Sequence, residues 1–304
     1  MHPAYSVIFF TVASGAGLGL LAFMGLGAAS AGEQPTSFLL VTFGIAFALT
    51  VGGLLSSTLH LGHPERAWRA MTQWRSSWLS REGVLAVISL IVAAIFAGFW
   101  IFFNLSSAIL GIITAFLALV TVWATGMIYA QIKAVDQWHR WLTPVCYLLF
   151  SIAGGTVLFL FLHALFADKA TWELSSITMI ALLIAWAVKL FWWKGGDTAP
   201  TSTPGTATGL GHLGEVRLLE RPHTGSNYLL KEMGHQIARK HVRKLRLIAV
   251  ILGAVIPILL ILLAIPAPLD ALWLGLAVVA HLTGMLVERW LFFAEARHAV
   301  MSYY

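Results

Sequence analysis

The chain has 304 residues, of which 59% are hydrophobic and only 11% are charged. Soluble globular domains carry roughly a quarter charged residues, so this composition excludes a water-soluble fold. The apolar content also excludes a disordered chain. We therefore predict an all-α polytopic membrane protein, with residues 1–304 forming a single membrane domain.

The sequence contains a single cysteine, Cys146. An iron–sulfur cluster normally requires four thiolates, and a covalent haem attachment motif requires two cysteines. We therefore expect no iron–sulfur cluster and no covalently attached haem in this chain, and any cluster or molybdenum chemistry must belong to another polypeptide. Cys146 itself is interpreted as a small buried apolar residue.

Apolar runs of about 20 residues predict transmembrane helices. Ala29-Ser30-Ala31 resembles a signal-peptidase site, but no Lys or Arg precedes the first run, so we expect that helix to be retained. The sequence predicts a bundle of eight spans, at 5–29, 37–60, 83–103, 106–130, 142–166, 174–194, 246–266 and 270–294.

The basic residues are distributed very unevenly between the two sides of the predicted membrane. With eight spans, both termini and the even-numbered loops share one side. Eighteen of the 19 Lys and Arg residues fall on or near that side, if Lys189 and Arg289 snorkel to it from the ends of their spans. Lys169 lies on the other side. The positive-inside rule therefore predicts that both termini are cytoplasmic.

The connection 195–245 is long and hydrophilic. It begins as a flexible linker and is predicted to become a basic helix from about residue 228 to residue 246. Such a helix is either solvated, bound to lipid headgroups, or a docking surface for a cytoplasmic partner. The cations assigned to docking are Arg75, Arg239, Lys240 and Arg243.

The densest polar sequence joins the second and third spans. His60 closes span two and Glu82 opens span three, so both are expected at the same depth near the cytoplasmic face. A quinone carbonyl needs a hydrogen-bond donor, and two-electron reduction of quinone needs two protons, which a histidine and a carboxyl group can supply. The segment therefore predicts a quinone site, with Arg66 and Arg81 beside His60 and Glu82.

The same residues have simpler interpretations. His60 is also suited to cap its helix, because a cation there meets the helix dipole favourably. Glu82 follows Ser80 in what resembles an ordinary helix start. The tryptophans of this segment are typical of an interfacial belt: Trp68, Trp74 and Trp78.

Haem and a metal site are weaker alternatives. A bis-histidine haem needs two ligands at one depth, whereas His60, His163 and His281 fall at different depths. The remaining candidates, His139 and His298, lie at or beyond helix ends, so we expect no haem in this chain. A metal site from His60, His63 and Glu65 is disfavoured because Pro64 breaks the helical spacing, so we predict no metal site.

A transporter or ion pump is also a weak alternative. Few ionisable residues lie inside the predicted spans, and such proteins carry charges near the midplane or broken helices. Glu288 and Arg289, in span eight, are interpreted as an internal ion pair, or as side chains that face the quinone pocket.

The motif around His60 resembles that of the membrane anchor subunits of DMSO reductase-type molybdoenzymes. The resemblance covers essentially the whole chain. The residues that carry it are Leu59-His60-Leu61-Gly62, Pro64, Arg66-Ala67, Leu79-Ser80 and Glu82, with further matches at Tyr129, Trp138, Thr143-Pro144, Gly154-Gly155, Arg289, Phe292 and His298.

The resemblance implies a multi-pass protein of the bacterial inner membrane. It further implies an iron–sulfur electron-transfer subunit and a molybdopterin catalytic subunit as partners, and ubiquinone or menaquinone as the redox partner in the membrane. In this family the residues that match His60 and Glu82 are implicated in quinol binding.

One departure concerns orientation. In respiratory DMSO reductases the histidine end of the anchor faces the periplasm, whereas the charge distribution places His60 and Glu82 in the cytoplasm. The opening sequence Met1-His2-Pro3-Ala4-Tyr5-Ser6 also resembles the sulfite dehydrogenase branch. We therefore expect electrons from sulfite to reach quinone. The alternatives are the anchor of a DMSO or other S- or N-oxide reductase that oxidises quinol, and a purely structural membrane tether.

Overall fold

The computed structural model describes residues 4–28, 32–166, 171–196, 202–220, 237–266 and 270–302. Within these ranges the side chains of residues 60, 237–240 and 302 are not described. Lys169, the one cation predicted on the side opposite the termini, lies outside the described residues.

All of the regular secondary structure in the described ranges is helical. The helices are α1 (Tyr5–Gly27), α2 (Thr36–Ser56), α3 (Trp78–Phe103), α4 (Ala108–Ala130), α5 (Leu142–Phe166), α6 (Trp172–Gly196), α7 (Pro204–Thr208), α8 (Ile237–Val250), α9 (Ile256–Ala264) and α10 (Asp270–Ala294). A π-helical segment, Ile251–Val255, makes α8 and α9 one continuous rod, and short 3-10 helices follow α2, precede α3 and follow α10. Eight helical rods are long and apolar enough to cross a membrane, which confirms the predicted all-α bundle.

Helix α1 lies in the centre of the bundle and packs against α2, α4 and α5. Its small residues allow this, because without a side chain two helix backbones can approach closely. A Cβ atom on Gly17 would lie 2.7 Å from the carbonyl oxygen of Ala46 and 2.8 Å from the amide nitrogen of Thr50, both in α2. The outward faces of the other helices are apolar, as contact with lipid requires, with exposed residues such as Ile95, Phe102, Ile109, Phe116, Leu183 and Val279.

The third span begins earlier than the sequence predicts. Helix α3 starts at Trp78, five residues before the predicted boundary, because the hydroxyl of Ser77 caps it by accepting a hydrogen bond from the N–H of Ser80 at 3.5 Å. Glu82 therefore lies in the second turn of α3. The interpretation of Glu82 as part of a helix start after Ser80 is wrong.

The second span ends as an α-helix at Ser56 and tightens into a 3-10 helix over Ser57–His60. The cause lies in three consecutive hydroxyl side chains. Ser56, Ser57 and Thr58 each donate a hydrogen bond to the carbonyl oxygen three residues earlier, at 2.6, 2.6 and 2.7 Å. His60 therefore closes a 3-10 turn.

The predicted hydrophilic connection contains more helix than expected at its start. Thr203 and Thr206 form a reciprocal capping box around Pro204, and this begins the short helix α7. The basic helix is described from Ile237 onward and runs directly into the seventh span. The predicted helical residues 228–236 lie outside the described residues.

The π-helical segment follows from Pro257. Proline has no backbone N–H, so it cannot donate to the carbonyl oxygen of Gly253 four residues earlier. The turn widens, and the N–H of Ile256 instead bonds to the carbonyl oxygen of Ile251, five residues earlier. Hydropathy along the seventh span gives no sign of this interruption.

Candidate functional site

Most described cations lie at one end of the bundle, which we call the basic end. It is the end at which α2 terminates and α3 begins. Its cations are Arg66, Arg69, Arg75, Arg81, Lys133, Arg140, Lys194, Arg243, Lys244, Arg246 and Arg297.

The loop between α2 and α3 contains a 3-10 helix, Pro64–Gln73, that packs on the first turns of α3. Met71 covers the backbone of Gly83, where a Cβ atom would lie 3.2 Å from the Met71 Cγ. Every residue of this helix except Ala67 is exposed. The helix therefore covers the start of α3 without becoming part of the core.

Arg81 holds this loop in place. Its guanidinium donates hydrogen bonds to the carbonyl oxygens of Trp74 and Arg75, at 3.0 and 2.7 Å, and lies 4.4 Å from the ring centroid of Trp78. Arg66 is more open to solvent. Its side chain is 58% exposed, and its Nε lies 3.7 Å from a carboxylate oxygen of Glu65.

Glu82, unlike these arginines, points into the bundle and is only 4% exposed. Thr125 of α4 donates a hydrogen bond to its carboxylate. One turn deeper, the hydroxyls of Thr121 and Ser89 lie 2.8 Å apart and join the same two helices. A polar strip therefore runs between α3 and α4, beginning at Glu82.

Beside this strip lies a group of aromatic residues from α4, α5 and α10. The rings of Tyr129 and Tyr147 stack with centroids 5.7 Å apart, and Phe292 packs edge-on against both. The indole of Trp138 donates a hydrogen bond to the carbonyl oxygen of Phe292 at 2.9 Å. These contacts bring the end of α10 to the same depth as the end of α4.

Lys189, Glu288 and Arg289 form a charged centre inside the bundle. Glu288 lies 2.5 Å from the Lys189 Nζ and 3.2 Å from the Arg289 Nη1, and all three side chains are at most 2% exposed. Lys189 lies 3.7 Å from the ring centroid of Trp192, and Arg289 lies 3.8 Å from that of Tyr147. The expected ion pair between Glu288 and Arg289 is present and includes Lys189.

The expectation that Lys189 and Arg289 snorkel to the membrane face is wrong. Both cations are retained inside because Glu288 and the aromatic faces of Trp192 and Tyr147 attract them there. Two cations share one carboxylate, so the centre carries an excess positive charge.

His281 lies deeper in α10, on the same face as Arg289. Its ring Nδ1 lies 2.8 Å from the carbonyl oxygen of Gly253, the group that Pro257 leaves without its helical donor. Nδ1 therefore carries the proton and donates it. The close approach depends on Gly284, where a Cβ atom would lie 2.8 Å from the carbonyl carbon of Leu252.

A cavity of about 20 Å³ lies between α1, α4, α5 and α10. Its polar lining comes from Thr11, Ser14, Thr125, Tyr147, Ser151, His281 and Arg289. This volume accommodates one or two water molecules. It is much too small for a quinone ring, since ligand pockets typically measure about 300 Å³ or more.

The structure thus separates the predicted site residues into two groups. Glu82 joins the buried polar strip, whereas Arg66 and Arg81 belong to the outer loop. His60 ends the 3-10 helix that precedes the loop, but its side chain lies outside the described residues.

The predicted docking cations lie near the same end. Arg243 is exposed near the start of α8, and Arg75 is exposed with its guanidinium 5.5 Å from the ring centroid of Trp74. The side chains of Arg239 and Lys240 lie outside the described residues.

Several residues of the polar interior were not predicted as parts of a site. Thr121 and Thr125 are four residues apart, so they share one face of α4 and mark a polar strip within an apolar helix. Pro257 four residues after Gly253 marks the free carbonyl that holds His281. Among the described residues, no group of three His, Cys, Asp or Glu side chains is arranged to hold a metal ion.

In the described part of the chain, eight helices are long and apolar enough to cross a membrane, and a basic end and a buried carboxyl group lie near one face. These features define a polytopic membrane subunit. The family model described as DMSO reductase anchor subunit (DmsC) matches residues 1–294, so the protein belongs to this family. It is a membrane anchor subunit of DMSO reductase-family complexes.

Two curated relatives are similar to the protein. The C subunit of the sulfite dehydrogenase of Allochromatium vinosum is 33% identical over 325 aligned residues, which cover all of this sequence and 99% of the relative. The C chain of the anaerobic dimethyl sulfoxide reductase of Escherichia coli is 29% identical over 153 residues, which cover 48% of this sequence and 52% of the relative. No solved structure matches significantly.

Proposed function

We propose that this anchor is quinone-reactive and that it passes electrons from sulfite oxidation to membrane quinone. The observation that carries the quinone role is the Glu82 carboxyl group, which is buried at the basic end and held by a hydrogen bond from Thr125. A buried ionisable residue in a membrane helix is costly and generally marks a functional site.

Glu82 is suited to proton delivery. Reduction of a quinone consumes two electrons and two protons, one proton for each oxygen. The Thr125 hydroxyl fixes the orientation of the carboxyl group, so that the group can give a proton to a quinone oxygen and be reloaded. His60, at the end of the 3-10 helix, is proposed as the second hydrogen-bonding group.

The surroundings of the first turns of α3 are compatible with a quinone as substrate. The loop helix Pro64–Gln73 covers this region and exposes the apolar surfaces of Trp68 and Met71. We propose that a quinone ring approaches Glu82 from this side, since the cavity behind Thr125 is too small to hold the ring. We place the site between this loop helix and α3, with Arg66 and Arg81 at its rim.

The partners that we propose are an iron–sulfur electron-transfer subunit and a molybdopterin catalytic subunit. The exposed cations at the basic end offer a surface for an acidic partner, with Arg75 and Arg243 described and Arg239 and Lys240 adjacent in sequence. The charge distribution supports an inner-membrane orientation with both termini cytoplasmic.

Sulfite is the proposed electron source because the relative that aligns over the full length is named as a sulfite dehydrogenase subunit. A second candidate is the anchor of a reductase that takes electrons from quinol. The similarity to the dimethyl sulfoxide reductase relative favours it, although this similarity covers about half of each protein.

Purification of the intact complex in mild detergent tests the proposal. We expect molybdenum and iron–sulfur subunits to co-purify, and sulfite to support quinone reduction faster than DMSO supports quinol oxidation. His60→Ala should lower quinone-coupled turnover at least about tenfold, while His212→Ala, in an exposed loop, serves as the matched control. Turnover measured with an artificial dye as electron acceptor does not require the anchor, so this dye-coupled turnover shows whether the complex has assembled.

Normal quinone turnover in assembled His60→Ala complex would contradict the role of His60. If Glu82→Gln also turned over normally, the anchor would be a structural tether.

A further inference from the structure

The cavity between α1, α4, α5 and α10 lies directly behind Thr125 and contains groups that the proposed function does not use. We propose that it is a binding site for one or two water molecules, and that this water reloads Glu82 with protons. The inference rests on the proposed proton-delivery role of Glu82.

The lining supplies both kinds of hydrogen-bonding partner that water needs. His281 is fully buried, and because its Nδ1 proton bonds to the Gly253 oxygen, its Nε2 is an acceptor. Neither this Nε2 nor the Nε–H of Arg289 has a hydrogen-bond partner within the part of the protein that the structure describes. A water molecule that donates to the first and accepts from the second satisfies both groups.

Two serine hydroxyls of the lining are also available to accept hydrogen bonds from water. Ser14 donates to the carbonyl oxygen of Phe10 and Ser151 donates to that of Gly15, both at 2.6 Å. Each hydroxyl has a single proton, so its oxygen lone pairs are left to accept. The volume of about 20 Å³ matches one or two water molecules.

Thr125 connects this site to Glu82. Its hydroxyl donates to the Glu82 carboxylate, and the same residue lines the cavity. A threonine oxygen that donates in one direction can accept in the other. Water, Thr125 and Glu82 therefore form a chain in which each group donates a hydrogen bond to the next, as proton transfer to Glu82 requires.

The proton balance of the relay is complete. Glu82 loses a proton to the quinone oxygen and takes one from the Thr125 hydroxyl, which takes one from the cavity water. The water takes a proton from the aqueous phase in the same concerted shift, so that no hydroxide is left in the cavity. The electrons come from the iron–sulfur partner.

Gly154→Ala is the direct test. The added methyl group would lie 3.6 Å from the Nε2 of His281 and 3.5 Å from the Ala16 Cβ, which are ordinary packing distances. Because Gly154 lines the cavity, the methyl group would take up space in which we propose that water binds. Gly44→Ala, on an exposed face of α2 where a Cβ atom meets nothing within 4 Å, is the matched control. The intact complex is studied by high-resolution electron cryomicroscopy and by quinone-coupled turnover.

We expect water density in the wild-type cavity, loss of that density in Gly154→Ala, and quinone-coupled turnover at least about tenfold below that of Gly44→Ala. Thr125→Val, which keeps the volume but removes the hydroxyl, should show the same loss of turnover. Dye-coupled turnover reports assembly of each complex.

A cavity without water density would overturn the water site. Equal turnover of Gly154→Ala and Gly44→Ala, with Glu82→Gln inactive, would overturn the relay and leave the role of Glu82 intact. Normal turnover of Glu82→Gln would instead overturn the proposed function on which the relay rests.

Discussion

The basic end contains two polar regions of opposite character, the outer loop between α2 and α3 and the interior around Glu82 and Glu288. In the loop, Arg66 and Glu65 are largely exposed, and water competes with their interaction. In the interior, Lys189, Glu288 and Arg289 are almost completely buried and depend on one another. Similar residue types thus provide an adaptable surface in one region and a fixed centre in the other.

The difference follows from the cost of removing charge from water. An exposed pair contributes little, typically about 0–1 kcal/mol, because solvent screens it. A buried charge without its partner is far more costly, at about 3–5 kcal/mol. The interior should therefore tolerate few substitutions, whereas the loop should tolerate many.

Glu288→Gln should produce the largest effect on stability. It leaves Lys189 and Arg289 buried next to each other without a compensating carboxylate. We expect a loss of about 3–5 kcal/mol, seen as a lower melting temperature and poor recovery of the complex. Glu215→Gln, which removes an exposed partner of Arg217, is the control and should match wild type. Equal melting temperatures for the two variants would show that the two cations do not depend on the Glu288 carboxylate.

Arg81→Ala should have a smaller and local effect. It removes the hydrogen bonds that tie the loop carbonyls of Trp74 and Arg75 to α3, a change of roughly 1 kcal/mol. We expect faster hydrogen exchange within Pro64–Gln73 and an unchanged bundle. Arg66→Ala removes only an exposed contact, so it should leave exchange in this segment near the wild-type rate. Identical exchange in both variants would argue against a holding role for Arg81.

The sequence predicted the spans well because hydropathy reports contact with lipid directly. Helices α5 and α10 match their predicted boundaries, since most of the residues in both helices are apolar. The start of α3 was missed because Ser80 and Arg81 interrupt the apolar run, although the cap that sets the boundary is Ser77. Hydropathy reports which residues contact lipid, whereas the capping residue determines where the helix begins.

The interior of the site was less predictable, because it depends on which helices are neighbours. Lys189 and Glu288 are 99 positions apart in sequence, and only the packing of α6 and α10 against α5 brings them together. The snorkelling rule assumes that a lysine near a helix end has no partner inside. The position of His281 likewise depends on a carbonyl that Pro257 frees in another helix.

The central claim is that the buried carboxyl group of Glu82 delivers protons to quinone. Its most direct test is sulfite-driven quinone reduction by intact complex that carries Glu82→Gln, compared with Glu33→Gln, which changes an exposed carboxylate at the opposite end of the bundle. Glutamine keeps the size of the side chain but cannot be reloaded with a proton. We predict at least about a hundredfold loss of turnover for Glu82→Gln and wild-type turnover for Glu33→Gln, with dye-coupled activity confirming assembly. Wild-type quinone reduction by the Glu82→Gln complex would contradict the claim.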